Sequence, residues 1–173
     1  MSKCRIALLL TLLGAIGAFI YLVVIPSQKA WACARILSDA MANARSVSLV
    51  EFWRDERDQT ELIFKRAAAT PTQMEAILKA TGSLISPIPD SETKCFWPHH
   101  RIEINRSDGS ELRFEVCFMC QNFLMEGGQV NEFESLPVNW SKNLAKVFTD
   151  AGMPPQEDYL ERAKKHPDYR AAE

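Results

Sequence analysis

Apolar positions along this chain fall into three rhythms: an unbroken run near the N-terminus, helical spacing in several short stretches, and alternation through the middle. The unbroken run is residues 6–25 (IALLLTLLGAIGAFIYLVVI), twenty positions without a charge. At 1.5 Å rise per residue it predicts a helix of about 30 Å, the thickness of a bilayer hydrocarbon core. Lys3 and Arg5 precede it, which holds the N-terminus inside and sends the rest across. Tyr21 suits the far interface, and Pro26 is expected to stop the helix. Three fates compete for this segment. It remains as an anchor, it is cleaved after Ala32 at the small-x-small triplet Ala30-Trp31-Ala32, or Cys33 is lipidated, with Ala30 standing where a leucine-like residue is wanted. Each places the body of the chain outside the cytoplasm.

Residues 30–44 repeat apolar side chains at Cys33, Ile36, Leu37, Ala40, Met41 and Ala44, which predicts a helix with one buried face. Residues 46–53 and 60–66 then turn to β-favouring types on either side of the charged run Arg54–Asp58, so they read as a hairpin. Thr70-Pro71-Thr72-Gln73 is a helix start with a capping box. Met74, Ile77 and Leu78 face inward, Gly82 closes that helix, and residues 83–91 form a loop with two prolines.

The centre predicts a meander. Strand candidates are 93–97, 100–106, 111–119 and 122–125, with 130–136 as a further one, and with tight turns at Ser107–Ser110 and Glu126–Gln129. Ile102 and Ile104 alternate with Arg101, Glu103 and Asn105. Leu112, Phe114, Val116 and Phe118 alternate with Arg113, Glu115, Cys117 and Met119. Such alternation predicts a sheet with one covered and one wet face. The cover includes a helix opened by Asn139 or Ser141, with Trp140, Leu144, Val147, Phe148 and Ala151 on one stripe and Gly152 and Pro154 ending it. The expected fold is therefore α+β: an antiparallel meander sheet with helices packed on one face, preceded by one transmembrane helix. The chain divides into a stub and anchor (1–25), an extracytoplasmic domain (26–154) and a charged tail (155–173).

Composition adds one exclusion. The formal net charge is −2, and with Lys3 and Arg5 set aside, 18 of 20 basic residues face all 22 acidic ones beyond residue 25. A nucleic-acid binder needs a basic face, so no nucleic-acid partner is expected. The membrane, reached through residues 6–25, is the one partner the pattern names.

Candidate chemistry lies in the cysteines and histidines. Of five Cys, Cys95, Cys117 and Cys120 lie near His99 and His100 in sequence; Cys4, Cys33 and His166 lie apart. Three thiolates and an imidazole would fill a tetrahedral zinc shell, and the same set would suit copper. Against this, Glu115–Cys120 reads as strand, where positions three apart point to opposite faces. An oxidising compartment also favours disulfides. A bridge from Cys95 to Cys117 or Cys120 would close a loop of about 22–25 residues, worth about 3 kcal/mol in the chain-entropy model. Cys117 and Cys120 could bridge each other only if the strand turns there. A redox-active C-x-x-C would want a helix start, which this segment lacks. No phosphate loop, H-E-x-x-H or G-x-S-x-G occurs, so no catalytic residue is assigned and an enzyme is the less favoured class.

Cys-x-x-Pro-x-His (Cys95, Pro98, His100), a strand pair, and Cys-Phe-x-Cys (Cys117, Phe118, Cys120), with Leu136-Pro137 and Gly152-Met153-Pro154 further on, resemble a family of uncharacterised bacterial exported or membrane-anchored proteins. The likeness covers about a third of the chain. It implies a place in the cell envelope and brings no activity with it. The expected function is thus a membrane-anchored extracytoplasmic binding or structural protein, stabilised by a disulfide among Cys95, Cys117 and Cys120. The alternative is a soft-metal module, zinc or copper, using Cys95, His99, His100, Cys117 and Cys120. Its location is the bacterial inner membrane, or outside the cell if Ala32 is a cleavage point.

Overall fold

The computed structural model describes residues 11–14, 25–55, 59–82, 97–127 and 130–169. It is α+β, with one six-stranded antiparallel sheet. The order along the chain is α1 (Ile25–Ala42), β1 (Ala44–Arg54), β2 (Glu61–Ala68), α2 (Pro71–Thr81), β3 (His100–Arg106), β4 (Glu111–Cys117), β5 (Asn122–Gly127), β6 (Val130–Ser135), α3 (Val138–Asp150) and α4 (Tyr159–Lys164). Strands β3 to β6 form the expected meander. The β1–β2 hairpin extends it through β1 pairing with β3, giving the order β2-β1-β3-β4-β5-β6.

By register, Val47, Leu49, Ile102, Ile104, Leu112, Phe114, Val116, Phe123 and Met125 share one face. All are buried in a single core with Leu37 of α1, Ile77 of α2, and Trp140, Leu144 and Phe148 of α3. Alternation on the strands and 3.6-residue spacing on the helices therefore converge on one layer, as burial of apolar area demands. Thr70 caps α2 as the sequence predicts: its hydroxyl accepts from Gln73 N–H at 3.2 Å, while Gln73 Oε1 accepts from Thr70 N–H at 2.9 Å.

The structure corrects several expectations. Helix α1 is described from Ile25, with Pro26 in its first turn, so the helix expected over 30–44 extends further toward the N-terminus than residue 30. Ala30-Trp31-Ala32 is part of that helix, and Ala30 and Cys33 are buried in the core. Neither Asn139 nor Ser141 caps α3; Pro137 occupies that position without a side-chain bond. Residues 155–169 are no free tail. Helix α4 docks Tyr159 and Ala163 against Trp53 and Leu62, and Arg162 clamps Glu51 with two hydrogen bonds of 2.5 and 3.2 Å.

The sheet's second face is not simply wet. Arg101 and Glu115 are 2% and 1% exposed there. Arg101 and Arg54 both reach Glu61 and Glu115, at 2.5–3.1 Å, and both guanidinium groups lie over the Phe52 ring, at 4.7 and 5.3 Å. Buried charges persist when paired and hydrogen-bonded, and a planar guanidinium does both while stacking on an aromatic ring. Arg101 Nε is the exception within this network. It lies 2.9 Å from Glu103 Oε1 but off the hydrogen-bonding angle, so that contact is an ion pair only.

Of the segment 6–25, residues 11–14 and Ile25 are described: 11–14 are helical, with Leu12 and Leu13 59% and 56% exposed. The remainder of the expected span, the 93–96 part of the expected first meander strand, Cys4 and Cys95 lie outside the described residues. Among the described residues no helix is long and apolar enough to cross a membrane.

Candidate binding pocket

The end of the sheet where β3 begins and β4 stops opens into a shallow cleft with about 20 Å³ of enclosed space. Trp97, His99 and His100 form one wall, Val116, Cys117, Phe118 and Met119 a second, and Pro155, Gln156 and Tyr159 the third. Three pieces of chain distant in sequence build it, and each is placed by a specific local feature.

His100 is the first residue of β3. It stands opposite Glu51 and Val116, so its ring turns to the helix-covered side. Its Nε2 donates to the Met153 carbonyl at 2.9 Å, and the ring packs edge-on against Phe148 and Phe118, with centroids at 4.7 and 5.1 Å. Met153 is presented by the end of α3. Gly152 takes φ +72°, a left-handed position that glycine occupies at little cost, and Met153 N–H returns to the Phe148 carbonyl at 2.8 Å. Lys65 caps the same helix end, donating to the Ala151 and Gly152 carbonyls at 2.9 and 3.2 Å. A helix stop that the sequence announces thus becomes the anchor of a histidine.

His99 is held from the other side. Its Nδ1 donates to the Phe52 carbonyl at 3.2 Å, and its ring stacks on Tyr159 at 3.7 Å and 18°. Tyr159 Oη accepts from Gln156 N–H at 3.3 Å and lies 3.5 Å from His100 Nε2. Burial dominates the electrostatics. It pushes His99 and His100 down to about 4, against the hydrogen bonds to Phe52 and Met153 that partly offset it, and it drives the Tyr159 phenol well above its ordinary range. At neutral pH all three rings are uncharged. With Nδ1 of His99 and Nε2 of His100 each carrying the proton given to a carbonyl, the other nitrogen of each ring keeps its lone pair.

Of the five sequence candidates, His99, His100 and Cys117 line this one cleft, Cys120 lies in the adjoining turn, and Cys95 is outside the described residues. The expectation that Cys117–Cys120 continues a strand is corrected. Strand β4 ends at Cys117 and the chain turns through 118–121, with Gln121 at φ +53°. Cys33, Cys117 and Cys120 are buried, and none lies at disulfide distance from another. Among the described residues no three His, Cys, Asp or Glu side chains group as metal ligands.

Sequence reasoning missed Tyr159 and Gln156 because it read residues 155–173 as a charged tail. The available signal was Tyr159 and Ala163, an apolar pair four apart among charges, which is one helical face. Comparison with protein-family models, with curated proteins and with solved structures finds no match.

Proposed function

We propose that this protein is an anchored domain of the bacterial cell envelope whose cleft binds a small, neutral, aromatic or apolar molecule carrying a hydrogen-bond donor. One observation carries the reading: the cleft is walled by aromatic rings and two uncharged imidazoles. Pockets for small molecules combine apolar walls with a few fixed polar groups. The cleft is shallow and open to solvent, with only about 20 Å³ of enclosed space, so it takes the edge of a single ring rather than a whole larger molecule. Phenol serves as the probe. Met119, 69% exposed, and Trp97 stand at the mouth, so replacing either leaves the core intact. In nanodisc-embedded full chain, phenol is expected to bind at millimolar concentration or below by ligand-observed NMR. Met119→Arg and Trp97→Ala should each weaken it about fivefold, roughly 1 kcal/mol. Absence of phenol binding, or parental affinity in both variants, defeats the reading.

Support for the anchor comes from the exposed, helical Leu12 and Leu13 and from the placement of Ala32. Cleavage after Ala32 would cut α1 and strip Ala30 from the core, and a buried Cys33 is poorly placed to carry a lipid. On this reading residues 6–25 are retained as a membrane span. Alkaline phosphatase fused to the C-terminus should be active, and the chain should keep its full mass. An inactive fusion beside an active control, or a mature N-terminus at Cys33, would sink the anchor.

A further inference from the structure

We propose that Cys117 and Cys120 form a two-thiolate site for the soft monovalent cation Cu(I) in the turn that adjoins the cleft. This site stands apart from the aromatic-ligand reading and shares only its entrance. The two cysteines open and nearly close a single turn between β4 and β5. The Cys120 backbone N–H donates to the Cys117 sulfur at 3.1 Å. Gln121 then adopts φ +53°, uncommon for a residue with a side chain, and is held there on both sides. Its side-chain amide donates to the Phe118 carbonyl, and its own carbonyl accepts from Leu136 N–H at 2.7 Å. Metal ligands are oriented by such surrounding hydrogen bonds, and this turn has them in place.

The donor set then selects the ion. Thiolates and thioethers are soft ligands that favour Cu(I). Met119, between the two cysteines in sequence, is exposed and lines the cleft with Cys117, so the same turn carries a third soft atom. On binding, each thiol releases its proton to solvent as its sulfur–copper bond forms. The metal stays Cu(I) and no electron is transferred.

The test titrates the reduced, detergent-solubilised full chain anaerobically with Cu(I) held by bicinchoninate. One copper per chain is expected to leave the competitor. Cys117→Ser and Cys120→Ser should each weaken uptake about 100-fold or more, Met119→Ala less, and Cys33→Ala not at all. A serine variant with parental near-ultraviolet circular dichroism and undiminished copper affinity overturns the site, as does a parent that takes no copper. Where serine variants fold poorly, peptide mass spectrometry of the parent decides. Cu(I) must shield Cys117 and Cys120 from maleimide, and labelling unchanged by copper overturns the site equally. Phenol binding by the copper-loaded and copper-free chain is read separately, so failure of one site is not mistaken for failure of the other.

Discussion

Trp140→Ala is expected to cost ~3–5 kcal/mol, most of what a domain of this size has to lose. The residue is 1% exposed and the largest side chain in the core. It joins α3 to the sheet through a chain of rings: Trp140 lies 6.0 Å from Phe123 at 34°, and Phe123 lies 5.1 Å from Phe114 at 35°. Truncation removes the indole and leaves a cavity between two rigid layers that can collapse only in part. The damage extends to the cleft, because the far end of α3 presents the Met153 carbonyl that His100 binds. Urea denaturation measures the first effect and phenol affinity the second. A cost under ~1 kcal/mol would mean that α3 is not what closes the core.

Much of this layout is written in local patterns. The Thr70–Gln73 box, the alternation Leu112-Phe114-Val116, the stripe Trp140-Leu144-Val147-Phe148 and the stop at Gly152 each depend on residues within a turn or two of one another, so they are legible one element at a time. What escapes is set by register between distant strands. Arg101 looks like a solvent-facing residue of an alternating strand. Only its position in the sheet, opposite Val50 on one side and Glu115 on the other, shows that two arginines and two glutamates meet over Phe52. The turn at Cys117–Cys120 escapes for a different reason. Its sequence has no glycine, yet Gln121 adopts the left-handed conformation because hydrogen bonds to Phe118 and Leu136 hold it there. The cleft combines both problems. His99 and His100 are visible as chemistry, but their neutralising environment comes from Phe52, Phe148, Met153 and Tyr159, up to sixty positions away.

That environment predicts a strong dependence of stability on pH. Burial lowers His99 and His100 from 6.5 to about 4, so between those values the unfolded chain binds protons that the folded chain refuses. The stability contributed by each neutral ring is fully present above about pH 6.5 and is lost as pH falls toward 4. Linkage gives about 2 kcal/mol per histidine by pH 5, and protonating one ring further disfavours the other because they are adjacent. Carboxylates add their share lower down. Burial pushes Glu61 up, but hydrogen bonds from Arg101 and Arg54 outweigh it and hold it below its ordinary range. Its contribution therefore survives through the histidine window and disappears beneath it. Urea midpoints at pH 7.5, 6 and 5 should fall steeply for the parent. His100→Gln, which keeps an amide to donate to Met153 and has no proton to gain, should flatten about half of that slope even if it lowers stability at pH 7.5. A parent whose stability is level from pH 7.5 to 5 would show that these imidazoles are as hydrated as in the unfolded chain, and the uncharged cleft would no longer account for ligand choice.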